Sequence, residues 1–392
     1  MRVLRILLTA TLALGASATP AYAADSWSIP RDATIVVRGH GYGHGHGMSQ
    51  YGAEGAARQG LSFRQIVDFY YPGTRWGTAR GRVTVLVSAD TTDDLVVLDR
   101  PGLEVRDTAR GRAVPLPDNG AVRWKVARGS GGADRVLFKT GPRRRWQVWR
   151  VLDGLGEFSA GGAPVTLVTP SGQHRYRGRL RVALTSGGDR VTVNALALDN
   201  YLKGVVPLEM PATWSPQAVR SQAVAARTYA AYERAHPISA AYQICDTTSC
   251  QVYGGYDGEH PASNDAVRAT AGKVLLSRGE PALTQFGSSS GGWTSAGSAP
   301  YLPAQRDPYD GWSGNPVHDW STTVRDRVIE RAWPRVGNLR RIVVNQRDGN
   351  GEWGGRIITM TLSGSRGRVQ ISGDTFRSEL GLRSTWLTFS VR

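Results

Sequence analysis

The chain has 392 residues, of which 40% are hydrophobic, and a formal net charge of +16. This length predicts two or three domains, and the apolar content is sufficient for hydrophobic cores, which argues against a disordered chain. The positive charge favours an anionic partner. No basic-aromatic motif of a nucleic-acid-binding protein occurs, so we predict no nucleic-acid partner.

Residues 1–23 have the pattern of a secretory signal peptide. Arg2 and Arg5 precede an apolar stretch at 6–15, and the string AYA at 21–23 has the small-x-small form of a cleavage site. The apolar stretch is too short to span a membrane, and no later segment is long and apolar enough to do so. We therefore expect a secreted or cell-envelope protein, with no transmembrane segment in the mature chain.

The next predicted unit, residues 30–78, contains the string GHGYGHGHGMSQYGA at 39–53. Its alternating glycines permit unusual backbone angles and a close approach of the backbone to a ligand or another strand. The histidines suggest a metal site, but no acidic partner is spaced to help. The glycines suggest a phosphate loop, but the strand-loop-helix context is missing. A short helix is predicted from Ser62, ending before Pro72.

Residues 79–175 have a different character. Short alternating runs are separated by Gly, Asp, Pro and Arg turns, which predicts a β sandwich or a small barrel. Three tryptophans in this unit either form a platform for sugars or fill its core, namely Trp124, Trp146 and Trp149.

The last unit, residues 176–392, mixes strand and helix patterns and centres on the apolar run 201–211, which carries Glu209. Burial in such a run raises the pKa of a carboxyl group, as a general acid near neutral pH requires. The alternative is a glutamate at the end of a strand, facing water. Ser215 and Pro216 are the predicted N-cap and first residue of the following helix.

That helix has a face of small residues, which suits close packing, at Val219, Ala223, Ala226 and Ala230. It also carries three polar side chains that we expect near Glu209, namely Gln222, Arg227 and Tyr229.

The string GSSSG at 287–291 matches the nucleophile elbow of serine hydrolases, and Asp310 and His318 follow in the hydrolase order. An elbow must open a helix, however, and the residues after it are poor helix formers. A flexible loop or a sugar-binding wall are the remaining interpretations.

Several strings of the chain, in combination, resemble the stage II sporulation protein D / LytB amidase-enhancer family, whose enzymatic members are peptidoglycan lytic transglycosylases. These strings are YLKGVVPLEMPATWSPQAVRSQAVAARTYA from 201, CQVYGG from 250, AVRATAG from 266, SSSGG from 288, LGLRST from 380 and GHGHGMSQYGA from 43.

The resemblance implies that Glu209 is the single general acid and base that cleaves the MurNAc-GlcNAc bond of glycan strands, without a cofactor. It implies that Arg227 stabilises charge or orients Glu209. The residues expected to bind the sugar are Tyr201, Gln222, Gln251, Tyr253, Ser288, Ser289, His44 and Gln50. The LytB name implies an alternative, a non-catalytic peptidoglycan-binding protein that stimulates an N-acetylmuramoyl-L-alanine amidase. A cell-wall amidase would then be a partner.

In sporulation-type members the GHG string follows the LGLRST-like string, whereas here it precedes it by more than three hundred residues. A circular permutation produces this order, and termini that lie close together tolerate it. We therefore predict an α+β protein with a catalytic domain at 176–392 and a mainly β insertion at 79–175. Residues 30–78 should complete the catalytic domain and bring His44 near Glu209.

Cys245 and Cys250 are the only cysteines, and in an exported protein we expect a disulfide between them. Zinc is the alternative, because some members of the family use a histidine and two cysteines as ligands. The spacing here differs, and the nearest upstream histidine is His236. We predict no metal.

Overall fold

The computed structural model describes residues 25–129 and 132–392. The signal peptide predicted at 1–23 lies outside these residues. Helices and many strands alternate along the described chain, which confirms the α+β class. Within the described ranges, no helix has the length and apolarity needed to cross a membrane.

The strands of the first half are β1 (Ser26–Ser28), β2 (Thr34–His40), β3 (Met48–Ser49), β4 (Arg75–Thr78), β5 (Arg82–Leu86), β6 (Leu95–Leu98), β7 (Glu104–Asp107), β8 (Ala113–Pro115), β9 (Arg123–Arg128), β10 (Asp134–Lys139), β11 (Gln147–Val151), β12 (Gly156–Ser159), β13 (Val165–Thr169), β14 (Gly172–Tyr176), β15 (Arg179–Leu184) and β16 (Arg190–Ala197). Those of the second half are β17 (Lys273–Ser277), β18 (Glu280–Pro281), β19 (Phe286–Gly287), β20 (Asp319–Arg325), β21 (Leu339–Arg347), β22 (Ile357–Gly364), β23 (Arg368–Ser372) and β24 (Leu387–Val391).

The α-helices are α1 (Gln50–Arg58), α2 (Phe63–Tyr70), α3 (Leu198–Lys203), α4 (Val206–Glu209), α5 (Pro216–Ala235), α6 (Pro261–Ala269), α7 (Asp326–Ala332) and α8 (Gly373–Glu379). Two 3-10 turns lie at Pro334–Val336 and Glu352–Gly354.

Two six-stranded antiparallel sheets form a β sandwich. Their strand orders are β11-β10-β9-β6-β13-β14 and β5-β16-β15-β12-β7-β8. Trp124 is fully buried between them and donates to Asp99, so this tryptophan fills the core. The boundary that we predicted between residues 175 and 176 falls inside the sandwich, because β15 and β16 pair with strands from before it. Composition alone does not change at that point.

Helix α5 lies at the centre of a second layer, in contact with α1, α2, α3, α6 and β17. The small-residue face predicted from the sequence is buried along its whole length, at Val219, Ala223, Ala226 and Ala230. Ser215 is the N-cap residue, as predicted, but its side chain does not cap the helix. Its backbone N–H and its hydroxyl both donate to the buried carboxylate of Glu54 instead. This pair fixes α1 at the start of α5.

The glycine-histidine segment at 39–53 packs on the C-terminal part of the chain. Strand β2 is the middle strand between β20 and β24, and β3 pairs in parallel with β19. The Gly43 N–H donates to the Arg383 carbonyl (2.9 Å), and the Ser384 hydroxyl donates to the His40 carbonyl (2.6 Å). The segment therefore lies against the LGLRST string, where we expected it.

Asp310 stabilises the packing of the segment at 39–53 on the C-terminal part of the chain. Its buried carboxylate accepts from the hydroxyl of Ser49 (2.6 Å) and from that of Ser289 (2.8 Å), and it bonds His318 Nδ1 (2.8 Å). The backbone N–H groups of Ser290 and Gly291 donate to it as well. Burial opposes the charge, but the hydrogen bonds from His318, Ser49 and Ser289 outweigh it and lower the pKa of Asp310.

Gly47 tests how tightly the segment is held. Its φ is +67°, and a Cβ there would lie 2.0 Å from the carbonyl oxygen of Gln285. Gly60 also has a positive φ, +89°, but a Cβ there would meet nothing within 4 Å. We expect Gly60→Ala to cost about 1 kcal/mol of unfolding free energy, the penalty for a left-handed residue. Gly47→Ala should cost roughly 3 kcal/mol, because the backbone contact adds to that penalty.

Urea unfolding of both variants measures the difference. Equal losses for the two variants would show that the segment is not docked against Gln285.

Candidate active site

Glu209 is the last residue of α4, a single turn in which Val206 is buried and which Met210, also buried, follows. Its carboxylate accepts from the backbone N–H of Val252 (3.0 Å) and from the side chain of Gln50. Burial raises the pKa of Glu209 and outweighs these two hydrogen bonds, which lower it. The structure thus gives the carboxyl the environment that its apolar run indicated.

Glu209 lines a cavity of about 250 Å³. The other lining residues come from four separate segments and are His44, Tyr229, Thr248, Ser249, Cys250, Val252, Gln285 and Phe286. Among these residues, all within the described chain, Glu209 has the only carboxyl group. Hydroxyl groups, one imidazole and one aromatic face make up most of the remaining surface.

The loop at 244–252 forms one wall of the cavity. Cys245 and Cys250 are joined by a disulfide, and Ile244 accepts from the Leu86 N–H of the sandwich strand β5 (2.9 Å). The loop is therefore held at its start by the sandwich and within itself by the two sulfurs. The described part of the chain holds no cluster of three or more metal-ligating side chains.

His44 lines the cavity as a neutral ring. Its Nδ1 accepts from the His46 N–H (2.9 Å), which leaves the hydrogen on Nε2, towards the carbonyl of Phe286. Burial, and then repulsion by His46, Arg356 and Arg377, lower the pKa of His44 to about 4. At neutral pH this histidine carries no charge and leaves the acidity of Glu209 unchanged.

Arg227 does not make the contact with Glu209 that we expected. Its fully buried guanidinium pairs with Asp199 (2.7 Å), donates to the Val267 carbonyl (3.1 Å) and reaches Thr270 (3.3 Å). These bonds connect α5 to α3 and α6. Tyr229 lies two residues further along α5, about 200° around the helix axis, and it is Tyr229 that faces the cavity.

Most of the other predicted sugar-binding residues lie behind the cavity wall. Tyr201 donates to Gln251 (3.2 Å), Gln251 donates to the Ala226 carbonyl (3.3 Å) and Tyr253 donates to Asn194 (2.7 Å). Gln222 is fully buried. In the CQVYGG string, the residues on either side of Val252 point into the core, so only the Val252 backbone and Cys250 reach the site. Gln50 is the exception, because its side chain contacts Glu209.

The two predicted serines hold the glycine-histidine segment. The Ser288 carbonyl accepts from the Tyr51 N–H (3.0 Å), and the Ser289 hydroxyl donates to Asp310. Ser289 therefore contacts the aspartate and not His318, and residues 288–292 form no helix. This arrangement contradicts the serine-hydrolase interpretation.

Tyr229 was expected near Glu209 and lines the cavity. Five other lining residues were missed as site residues: Thr248, Ser249, Val252, Gln285 and Phe286. The position of Thr248 and Ser249 inside the cysteine loop could have identified them, and Val252 stands within the CQVYGG string. Gln285 and Phe286 carry no signal in the sequence, because β19 reaches the site only through its pairing with β3.

The raised pKa of Glu209 has a measurable effect on stability. The folded protein binds this proton more tightly than the unfolded chain, whose glutamate titrates near its ordinary value of 4.5. The stabilisation by the bound proton is complete below that value and is lost as the pH rises through the folded pKa. Glutamine does not titrate. The melting temperature of Glu209→Gln, minus that of the wild type, should therefore rise across this pH window.

Thermal melts of both proteins at a series of pH values provide the test. A difference that stays constant or falls would mean that the pKa of Glu209 is not raised.

The chain is similar to several known proteins over part of its length. Residues 186–276 match the family described as stage II sporulation protein. The amidase enhancer of Bacillus subtilis (strain 168) is 42% identical over 135 residues, which are 33% of this chain and 17% of that protein. Stage II sporulation protein D of the same strain is 32% identical over 142 residues, covering 30% of this chain and 41% of that protein. An uncharacterized protein of Brachyspira hyodysenteriae is 34% identical over 121 residues, covering 29% and 32%.

Each of these matches spans less than half of the relative's length. Glu209, α5 and the cysteine loop all lie within residues 186–276, so the matched family covers most of the walls around Glu209. Over residues 186–276, the chain is therefore similar to the stage II sporulation protein family, and one of these relatives carries that name.

Proposed function

We propose that the protein acts on peptidoglycan and cleaves its glycan strands as a lytic transglycosylase, with Glu209 as the single general acid and base. The names of the relatives support a role in cell-wall processing. The observation that carries the finer proposal is the cavity itself, whose described lining contains one carboxyl group, with a raised pKa.

One carboxyl group suits a reaction in which the substrate supplies the nucleophile. Ordinary glycosidases use two carboxyl groups, one as acid and the other as nucleophile or base. In the proposed reaction, protonated Glu209 gives its proton to the glycosidic oxygen as the bond to the muramic acid breaks. The carboxylate then takes the proton of the muramic acid's own primary hydroxyl, which closes an anhydro ring. The proton on Glu209 is thus restored, and no water is consumed.

The surroundings of Glu209 suit both steps. Burial keeps the carboxyl protonated to a higher pH than usual, and the Val252 N–H and Gln50 stabilise the carboxylate once the proton has left. Arg227 of α5 is paired with Asp199, and its charge does not lower the pKa of the acid. Burial and the neighbouring Glu233 raise the pKa of Tyr229, which keeps its phenol protonated beside the substrate.

The amidase-enhancer function is the second candidate, and the 42% identity to a protein of that name favours it. In that case the same cavity would hold a glycan strand without cleaving it, and an N-acetylmuramoyl-L-alanine amidase would be the partner.

Two further proposals concern the chain as a whole. We propose that residues 1–23 direct export, which would bring the protein to its substrate. We also propose that the family's segment order was circularly permuted. The packing of residues 39–53 beside 380–385 supports this, because such a rearrangement keeps neighbours in space while it changes their order in the chain.

Glu209→Gln should abolish strand cleavage and leave the fold intact. The substitution preserves volume and removes the transferable proton, and general acid catalysis contributes roughly two to four orders of magnitude in rate. Glu280→Gln, at an exposed position on β18, is the matched control and should cleave like the wild type. The measurement is mass spectrometry of anhydromuramoyl ends released from purified glycan strands.

Wild-type release rates from Glu209→Gln would contradict the catalytic assignment. Absence of cleavage by the wild type, combined with equal stimulation of a purified amidase by the wild type and Glu209→Gln, would establish the enhancer function instead.

A further inference from the structure

A second cavity, of about 380 Å³, lies in the C-terminal part of the chain, outside the matched residues 186–276. Two half-buried tryptophans line it, Trp27 from β1 and Trp353 from the loop between β21 and β22. Asp25, Asn345, Gln346 and Arg347 add polar groups. Aromatic faces combined with a few fixed polar groups are typical of a site for a small polar ligand.

Trp353 has an unusual backbone conformation. Its φ of 56° and ψ of 17° are left-handed, which bulky residues rarely adopt. Such residues persist where the surrounding structure holds them, and they are frequent at binding sites. Here the indole stacks on the ring of His40 at 4.6 Å, and that ring bonds Asp319 (2.6 Å) and Glu352 (3.1 Å). The indole is therefore fixed in place before any ligand arrives.

Arg347 lines the same cavity and carries a buried donor without a partner within the described chain. Its side chain is 8% exposed, its Nε lies 3.3 Å from Asp25, and its Nη1 donates to the carbonyls of Gly355 (2.7 Å) and Leu387 (3.1 Å). Nη2 is buried and finds no acceptor among the described residues. A buried donor is normally satisfied, so a ligand with a carbonyl or hydroxyl oxygen would complete it. Because Asp25 balances the charge of Arg347, that ligand should be polar and close to neutral.

The glycine-histidine segment connects this cavity to the one at Glu209. His40 stacks on Trp353, and four residues later His44 lines the Glu209 cavity, so the two Cα atoms are at most roughly 14 Å apart. Between them Tyr42 is 46% exposed, although its backbone bonds Ser289 in both directions (2.9 and 3.1 Å). An exposed aromatic side chain on a fixed backbone thus lies midway along the chain between His40 and His44.

We propose that the cavity between Trp27 and Trp353 is a second sugar-binding subsite, which holds a neutral N-acetylated pyranose of the same glycan strand that reaches Glu209. The proposal rests on the glycan substrate of the proposed function. The tryptophans would pack against the apolar faces of the ring, and Arg347 Nη2 would donate to its acetamido oxygen. Tyr42 would contact the strand between the two subsites.

The test measures strand binding in the full-length Glu209→Gln protein, in which cleavage is blocked. The key variant adds Trp353→Gly, which removes the indole and suits a φ of 56°, so the fold should be retained. Trp27→Ala is the second variant. Trp76→Ala, on β4 and outside both cavities, is the matched control for loss of an indole.

The probes are stem-peptide-free glycan strands and N-acetylglucosamine oligomers of increasing length, titrated by calorimetry. Each cavity variant should raise the Kd of long strands roughly tenfold, the effect of one lost aromatic contact, and Trp76→Ala should leave it unchanged. The shortest oligomers fill only one subsite. The Kd should therefore depend less on oligomer length in the variants than in the parent.

Two results would overturn the subsite: an unchanged Kd for long strands in both cavity variants, or a tenfold loss that affects free stem peptides and not glycans. These outcomes are separate from the cleavage reaction. If the wild type fails to cleave but tryptophan-dependent strand binding is found, the transglycosylase proposal fails and the subsite stands. If the wild type cleaves and the cavity variants bind normally, the subsite alone is wrong.

Discussion

The buried carboxylate of Asp310 is the interaction on which the candidate site depends. It joins Ser49 to Ser289, and its bond to Ser49 spans 261 residues of sequence. Gln50, which contacts Glu209, follows Ser49 directly, and His44 lies five residues before it. Without this carboxylate, two members of the Glu209 environment would lose their anchor. The aspartate is ionised despite complete burial because at least five donors surround it, the usual condition for a buried charge.

At Glu209 the effect of burial on the pKa outweighs that of the hydrogen bonds, the reverse of the balance at Asp310. Asp310 has many donors and a lowered pKa, whereas Glu209 has two and a raised one. A fully buried and a half-buried carboxyl group of one protein thus differ in acidity because of the number of hydrogen bonds that each accepts. The one with few donors is able to hold a proton for transfer, and the other serves as a structural anchor. The placement of Arg227 on Asp199 preserves this difference, since a guanidinium beside Glu209 would stabilise its ionised form.

Local patterns in the sequence predicted much of the fold. Ser215 was identified as an N-cap, a short helix was predicted from Ser62, and the helix at 216–235 shows the buried face that its alanines indicated. The contact between the segment at 39–53 and the LGLRST string was also predicted, from the order of the strings. The end of the sandwich at β16 was not predicted, because strand pairing across a hundred residues leaves no local signal. Arg227 was assigned to Glu209 from the family resemblance and its place on the following helix, but the direction of a side chain depends on which neighbours surround that helix. The Asp310 network combines residues from three distant segments and has no pattern in any one of them.

The source of the oxygen that bonds to the anomeric carbon of the muramic acid after cleavage tests the central claim most directly. If Glu209 activates the strand's own hydroxyl, strands digested by the wild-type protein in ¹⁸O-labelled water should yield anhydro ends without the label. If a water molecule is the nucleophile, the released ends should be reducing sugars that carry one ¹⁸O atom. That result would require a second carboxyl group near Glu209 and would contradict the single-residue mechanism.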